Sequence, residues 1–441
     1  MIRNSLLLFT LMVSLLNVAF AQNAKSEVKI FVTPKSSLHN PFHTPIPDSL
    51  HFQKGEQVCF EVSVFNNDKQ VSPSSVQYSF NEDKMKPFEQ GTLAITNQVA
   101  TTPYATMNKS GFLRCNVEVV YNGKTYKEHS MVGFDVQDLK PTVRMPSDFR
   151  EWWNTQLEAS SKIPMEPQLE LLKSRCTKNT DVYQVSIQAV EEGFRIYGIL
   201  AIPKAEGTYP AVMRGPGAGV HKIGGMLAEA EKGMITLDMG VHGLPLTKSK
   251  EFYESLSKGK LKDYYQKDID SRENYYYRRI FLSAVRLAEY LTTLPKFDGK
   301  NLFVCGGSQG GAISIVTAAL CPKVTAIETF FPALADQEAY LQDRAGGWPH
   351  YFYFHKNDAN IQDIANVVAY YDVANFARIL TTPTFMSFGL ADLTCAPTCT
   401  YSTWNALGAK DKKLVITPHI GHARDSKTWS EGWEWMMQHK K

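Results

Sequence analysis

The chain has 441 residues, enough for two domains, and 44% of them are hydrophobic, as in a globular protein. Its 47 Lys and Arg residues nearly balance its 44 Asp and Glu residues. This balance gives no indication of a nucleic acid or an anionic membrane surface as partner, so charge leaves the substrate open.

The first element is an export signal. Arg3 precedes an almost wholly apolar stretch from residue 5 to residue 20, and Ala19-Phe20-Ala21 has the small-residue form of a signal-peptidase site. The stretch is short for a membrane span, and no later segment is long and apolar enough to cross a bilayer. We therefore expect a signal peptide over residues 1–21, no membrane span, and a mature protein in the periplasm or outside the cell.

Residues 22–140 have the pattern of a small all-β domain. Apolar and polar residues alternate over residues 58–64 and 113–119, which predicts half-buried strands, and Asn122-Gly123 predicts a hairpin turn. About a hundred residues of this kind predict an immunoglobulin-like sandwich. The segment has no cluster of histidines or carboxylates at catalytic spacing, so we expect its contribution to chemistry to be indirect.

The seven cysteines matter because an exported protein can form disulfides. Cys59 and Cys115 lie on two predicted strands of the β domain. The alternation puts Cys115 on the apolar face and Cys59 on the face of Glu61, which disfavours a bridge between them but leaves it open. No cysteine or histidine group has metal-site spacing, so we expect no metal and disfavour a zinc deacetylase.

From residue 141 onward, predicted strands and helices alternate. Asp148, with Glu151 three residues later, predicts a helix start with a capping box. Buried strands are predicted at 211–213 and 235–237, and a helix is predicted from 275 to 291. This alternation predicts a doubly wound, mostly parallel α/β sheet over residues 141–441.

The most informative segment is Gly306-Gly307-Ser308-Gln309-Gly310-Gly311. It follows a short apolar run and leads into a second one, so a strand, a sharp turn and a helix are predicted around Ser308. Glycines on both sides of the serine let the strand and the helix approach closely. This is the context of a nucleophile elbow, and an ordinary glycine-rich turn is the alternative.

A serine is a good nucleophile only with a base and an orienting acid. Asp392 follows one predicted strand, and His419 and His422 follow the next. Catalytic groups gather at such strand ends in open α/β sheets, and the order serine, acid, histidine is that of α/β-hydrolases. Either histidine could serve as the base, and Asp392 could instead be a turn residue that caps the next helix.

Four segments together resemble the acetyl xylan esterase and cephalosporin C deacetylase family, which is carbohydrate esterase family seven and has the α/β-hydrolase fold. In the family's order they are PSDFREWW (146–153), GGSQGG (306–311), YDVANFA (371–377) and GLADLTCAP (389–397). The resemblance runs from about residue 144 to the C-terminus and does not include the β domain. It implies Ser308, Asp392 and His422 as the triad, and the deacetylation of sugar acetates as the reaction.

Three family motifs are altered: R-G-Q falls at Gly240-Val241-His242, terminal H-E at His422-Ala423, and H-G-Y at Arg214-Gly215-Pro216. In the family, the tyrosine N–H of the last motif completes the oxyanion hole, and proline has no N–H to donate. We expect the backbone N–H of Gln309 as the first donor and that of Gly217 as the second.

Trp348 and Tyr351 lie in a loop that follows a predicted strand and are candidates for stacking on sugar rings above Ser308. The alternative is that both rings pack the loop against the domain, as most aromatic side chains do.

The sequence thus predicts an exported serine esterase that removes acetyl groups from plant cell-wall carbohydrate through an acyl-enzyme, without a cofactor. The acetylated carbohydrate is the expected partner, and the oligomeric state is left open. One alternative is a serine hydrolase of another acyl ester or a peptide, because the same triad serves these reactions. The other is a carbohydrate-binding or adhesion protein with an inactive hydrolase domain, which the altered motifs favour.

Overall fold

The computed structural model describes residues 27–36 and 50–441. The predicted signal segment therefore lies outside the described residues. The described chain forms two five-stranded sheets from its first part and one nine-stranded sheet from the rest. Within the described residues, no helix has the length and apolar character needed to span a membrane.

The first part of the chain is all β. Its strands are β1 Val28–Ser36, β2 His51–Phe52, β3 Val58–Asn66, β4 Lys69–Val71, β5 Ser75–Glu82, β6 Pro87–Thr92, β7 Ile95–Thr96, β8 Val99–Thr101, β9 Gly111–Tyr121 and β10 Lys124–Phe134. One sheet has the order β1-β3-β8-β7 with β4 paired to β3, and the other has the order β2-β10-β9-β5-β6. The immunoglobulin-like assignment and the domain boundaries stay predictions.

The alternating residues of β3 and β9 build one apolar core. Phe60, Val62 and Val64 of β3 and Leu113, Cys115 and Val117 of β9 are buried in the same cluster. Cys59, whose side chain is buried elsewhere, is not part of that cluster. All seven cysteines, each of which lies within the described residues, are free.

The rest of the chain forms a mixed α/β unit. Its strands are β11 Gln168–Leu171, β12 Thr180–Gln188, β13 Arg195–Pro203, β14 Tyr209–Gly215, β15 Ile235–Met239, β16 Phe297–Gly307, β17 Val324–Phe330, β18 Thr384–Gly389 and β19 Lys412–Thr417. The sheet order is β11-β12-β13-β15-β14-β16-β17-β18-β19. Six adjacent strands, β15, β14, β16, β17, β18 and β19, are parallel to one another. Each of β11, β12 and β13 is antiparallel to its neighbours in the sheet. The predicted mostly parallel sheet is confirmed.

Ten α-helices in the described residues connect or cover these strands. They are α1 Phe149–Ser161, α2 Leu227–Ala230, α3 Lys250–Lys258, α4 Tyr276–Leu291, α5 Gln309–Leu320, α6 Tyr351–Phe354, α7 Ile361–Val368, α8 Val373–Ile379, α9 Pro397–Ala406 and α10 Ser426–Gln438. Short 3₁₀ turns lie at Val136–Asp138, Lys173–Arg175, Tyr264–Gln266 and Gln337–Gln342.

The sheet is buried on both faces, as a doubly wound fold requires. Ala211 and Met213 of β14 belong to the cluster that contains α4 and α5, whereas Val212 belongs to a cluster with Met436 of α10. Successive side chains of a strand point to opposite faces, so the short apolar run of β14 serves two cores.

Helix α1 begins at the predicted residue, but the predicted capping box is wrong. The side chain of Asp148 makes no capping hydrogen bond. Its Oδ1 accepts a hydrogen bond from the Tyr370 hydroxyl, and its Oδ2 lies 3.3 Å from Arg272 Nη1. The carboxylate therefore ties the start of α1 to distant segments instead of to its own backbone.

Candidate active site

Ser308 occupies a strained turn between β16 and α5. Its φ of 58° and ψ of −124° form a combination that residues with a Cβ rarely adopt. The Ser308 N–H donates to the Phe330 carbonyl at 3.0 Å, and the Ser308 carbonyl accepts from the Ala333 N–H at 3.0 Å. Strand β17 and the residues directly after it thus hold the strained conformation of Ser308 in place. A strained serine turn between a strand and a helix is the geometry of a nucleophile elbow.

The glycines around Ser308 are required by close backbone contacts. A Cβ on Gly310 would lie 2.1 Å from the Gly215 carbonyl oxygen, and a Cβ on Gly306 would lie 2.5 Å from the backbone of Gly310. No side chain fits at either position. Helix α5 therefore packs directly on β14 and β16, and its first turn lies against the start of the loop that follows β14.

Ser308, His422 and Asp392 form a hydrogen-bonded chain. Ser308 Oγ lies 3.0 Å from His422 Nε2, and His422 Nδ1 lies 2.8 Å from Asp392 Oδ2. A carboxylate oxygen accepts, so Nδ1 carries the imidazole proton and Nε2 is the acceptor for the serine hydroxyl. The structure thus brings together the three side chains that the sequence predicted as a triad.

The loops that carry the acid and the histidine support each other. The Ala391 N–H donates to the Ile420 carbonyl at 3.1 Å, and a Cβ on Gly389 would lie 1.8 Å from that same carbonyl oxygen. Only a glycine at the end of β18 lets the two loops approach this closely. The contact sets the distance between Asp392 and His422.

Asp392 is fully buried and uses its two oxygens for different partners. Oδ1 accepts the backbone N–H groups of Thr394 at 2.7 Å and Cys395 at 2.9 Å, while Oδ2 faces His422. Asp392 therefore makes turn contacts with one oxygen and faces the histidine of the predicted triad with the other, and it does not cap α9, whose N-cap residue is Ala396. His419 is exposed and lies beside a different cavity, lined also by His129 and Met131.

Side-chain atoms of Asp392, Cys395 and His422 lie within 4.8 Å of one another, a spacing that could hold a metal ion. The donor set does not suit one. Burial, with the neighbouring Asp392 carboxylate, raises the pKa of the Cys395 thiol well above its usual value. A thiol must lose its proton to bind a metal, and Asp392 and His422 already bind each other.

A cavity of about 580 Å³ opens at Ser308. Part of its lining comes from the loop after β14, with Pro216, Gly217 and Lys222. Other lining residues come from later segments of the chain and include Phe331, Trp348 and Arg424. Arg214 and Asp238 also line it and form a bidentate pair, with Nε–Oδ1 and Nη2–Oδ2 distances of 3.0 Å and 2.6 Å. Gly217, the expected second oxyanion donor, thus lies on the cavity that contains the serine.

A hydrogen-bond network that the sequence analysis missed holds the two expected donors together. The Gly219 N–H donates to the Tyr264 hydroxyl at 3.2 Å, and that hydroxyl donates to Gln309 Oε1 at 2.6 Å. Tyr277 donates to the same Gln309 oxygen at 2.9 Å. Tyr264 therefore connects the residue after the nucleophile to the loop that contains Gly217.

His242 holds the other side of Gly219. Its Nε2 lies 3.0 Å from the Gly219 carbonyl and its Nδ1 lies 2.9 Å from the Tyr276 hydroxyl. Burial lowers the pKa of His242, so the neutral ring donates from Nε2 and accepts at Nδ1. The signal in the sequence was the altered R-G-Q motif, where His242 stands in place of the family's glutamine.

The two aromatic candidates have different surroundings. Trp348 lines the cavity, and its ring lies 4.9 Å from that of Tyr265. Tyr351 is only 8% exposed, does not line the cavity, and stacks on His355 at 4.3 Å. Packing of the loop explains the position of Tyr351, and Trp348 stays the candidate for stacking on a sugar ring.

Comparison with known proteins identifies a family and relatives. The family model described as acetyl xylan esterase (AXE1) matches residues 131–439. The chain is 38% identical over 384 residues to acetyl esterase Axe7A of Xylanibacter ruminicola, which covers 86% of this chain and 85% of the relative.

Solved structures agree on the fold. Acetyl xylan esterase 1 from Thermoanaerobacterium sp. JW/SL YS485 superposes with a TM-score of 0.60 at 23% identity, covering 69% of this chain and 98% of that structure. The acetyl xylan esterase from Paenibacillus sp. R4 gives a TM-score of 0.60 at 22% identity, with the same coverage of 69% and 98%. These superpositions confirm the predicted α/β-hydrolase fold.

Proposed function

The chain belongs to the acetyl xylan esterase family, and from this premise we propose that it is an exported enzyme that removes acetyl groups from plant cell-wall carbohydrate, such as acetylated xylan or xylo-oligosaccharides. As a member of that family it is a carboxylic ester hydrolase. The observation that carries the proposed mechanism is the 3.0 Å separation between Ser308 Oγ and His422 Nε2. At this distance the imidazole takes the serine proton directly.

In the first half of the reaction, Ser308 Oγ attacks the acetyl carbonyl carbon while its proton moves to His422 Nε2. The carbonyl oxygen becomes an oxyanion, which the N–H groups of Gln309 and Gly217 stabilise in this proposal. The bond between the carbonyl carbon and the sugar oxygen then breaks, and the sugar oxygen takes the proton from His422. The products of this half are a deacetylated sugar and an acetyl ester of Ser308.

In the second half, water replaces the sugar. The oxygen of the water attacks the acetyl carbon while His422 Nε2 takes a proton from the water. His422 then returns that proton to Ser308 Oγ as acetate leaves. Asp392 stays a carboxylate throughout. It holds the imidazole ring and stabilises the positive charge that His422 carries in each half.

The cavity supports a sugar ester as substrate. A volume of about 580 Å³ accommodates a saccharide, and the lining includes the aromatic side chain of Trp348 and the polar side chains of Thr394 and Lys222. Sugars are recognised by such a combination of a flat apolar surface and hydrogen-bonding side chains.

Acetate release from acetylated xylo-oligosaccharides tests the proposal directly. We expect release by the native chain and a loss of at least about 10³-fold in kcat for Ser308→Ala, because the variant lacks the hydroxyl that attacks the acetyl carbon. Peptides and longer acyl esters are assayed in parallel. Faster hydrolysis of either would favour the other serine hydrolases, and binding of xylan without acetate release would favour an inactive, carbohydrate-binding hydrolase domain.

Export is tested separately. N-terminal sequencing of the protein recovered outside the cytoplasm should begin at Gln22, the residue after the proposed cleavage site. Recovery of an intact Met1 terminus would contradict export through this signal.

A further inference from the structure

The turn between β5 and β6, residues 83–86, contacts the loop that carries Asp392. Lys84 Nζ donates to the Leu393 carbonyl at 2.7 Å and lies 2.8 Å from His350 Nε2. Leu393 is the residue directly after Asp392. A lysine of the all-β part thus binds the peptide group that adjoins the proposed catalytic acid.

Two more side chains of the all-β part bind the same loop or the helix that directly follows it. Asp83 Oδ2 accepts the backbone N–H of Thr398, in the first turn of α9, at 2.9 Å. Arg114 of β9 lies 3.4 Å from the Leu390 carbonyl and 3.5 Å from Asp83 Oδ1. Asp83 and Arg114 are almost completely buried, so both contacts are shielded from water. The all-β part therefore binds the acid loop, residues 390–396, at Leu390 before Asp392 and at Leu393 directly after it, and binds the following helix at Thr398.

The surroundings of Lys84 fix the direction of its ammonium group. Burial, together with the nearby charge of Lys84, lowers the pKa of His350 to about 3, so the ring is neutral at ordinary pH. An ammonium group only donates, so Nε2 of His350 accepts, and its Nδ1 donates to the Tyr340 hydroxyl at 2.9 Å. With one donor held by His350, another is directed to the Leu393 carbonyl.

This contact lies where small displacements matter. Asp392 must hold His422 in one tautomer and one orientation, and a shift of about 1 Å in such a group costs up to about 10²-fold in rate. Oδ1 of Asp392 is held by N–H groups of its own loop, so the loop and the carboxylate move together.

We propose that Lys84 is a positioning residue for the triad: by binding the Leu393 carbonyl it holds the acid loop, and with it Asp392, against His422. The all-β part then contributes to catalysis without touching a reacting atom. The inference rests on the proposed function, because it assigns Asp392 to the reaction.

The test compares Lys84→Met with Lys86→Met in the full chain. Lys86 is an exposed lysine on the same turn, and its side chain forms no hydrogen bond or ion pair within the described residues, so it controls for the loss of one charge. For Lys84→Met we expect kcat for 4-nitrophenyl acetate to fall about 10-fold with KM little changed. The acid limb of the kcat/KM profile against pH should move for Lys84→Met and stay in place for Lys86→Met, because only Lys84 binds the loop that carries the partner of His422. Lys84→Arg, which keeps the charge, should recover part of kcat.

Native kinetics for Lys84→Met would overturn the proposal, and so would a lowered Tm with unchanged kcat and pH profile. If Lys84→Met does not fold, the same comparison is made with Lys84→Gln, with the same two outcomes. Failure of the proposed function has a different signature: the native chain would not hydrolyse acetyl esters, or Ser308→Ala would retain activity.

Discussion

At the scale of single residues, His422 and His419 lie three positions apart but in different surroundings. His422 contacts both Ser308 and Asp392, whereas His419 is exposed beside another cavity. We expect His422→Ala to lower kcat for 4-nitrophenyl acetate by at least about 10³-fold, because the serine loses its base. His419→Ala, the matched control, should keep most activity. The reverse ranking in steady-state kinetics would assign the base to His419.

At the scale of elements, the loop after β14 offers the Gly217 N–H for the expected oxyanion hole, although Pro216 in the same loop has no N–H to donate. A Cβ on Gly217 meets nothing within 4 Å, so Gly217→Ala should fold normally and keep its N–H. Gly217→Pro removes that N–H, and we expect it to lower kcat for the aryl acetate by about 10²-fold or more. The alanine variant is the control in the same assay. Equal kcat values for the two variants would show that Gly217 is not a donor.

The elbow is also a property of packed elements. The contact between Gly310 and Gly215 joins α5 to β14, while Tyr264 and His242 fasten the loop that starts at Gly215. Both expected oxyanion donors therefore belong to one connected structure. This arrangement gives a physical reason why altered family motifs are compatible with a preorganised site.

At the scale of the whole molecule, His350 couples stability to pH. Its pKa is lowered to about 3, whereas an unfolded histidine has a pKa of about 6.5. Between these values the unfolded chain binds a proton that the folded chain does not, so this contribution is complete above about pH 6.5 and is lost as pH falls. The control variant is His350→Gln, which keeps an acceptor for Lys84 but does not titrate. When the pH falls from 7.5 to 5, we expect the free energy of unfolding of the native protein to decrease by up to about 2 kcal/mol more than that of the variant.

Urea unfolding at the two pH values checks this expectation. The buried carboxyl groups of Glu328 and Asp372 have raised pKa values, which contribute with the opposite sign, but they are common to both proteins and cancel in the comparison. Parallel losses in native and variant protein would mean that His350 is not the group responsible.

The sequence by itself determined the features that depend on neighbouring residues. Alternating and continuous apolar runs predicted the β3, β9, β14 and β15 strands, and the glycines around Ser308 predicted its turn, because backbone preference and side-chain periodicity act over a few residues. The chain order of Ser308, Asp392 and the two histidines followed from strand ends for the same reason.

Only the tertiary structure decided contacts between distant positions. Lys84 and Leu393 are 309 residues apart, and Asp148 left its predicted capping role for Tyr370, 222 residues away. Likewise, Tyr351 packs into its loop while Trp348 reaches the cavity. Such choices depend on which surfaces meet when sheets and helices pack, and the free energy of a buried polar group is set by partners that no local pattern specifies.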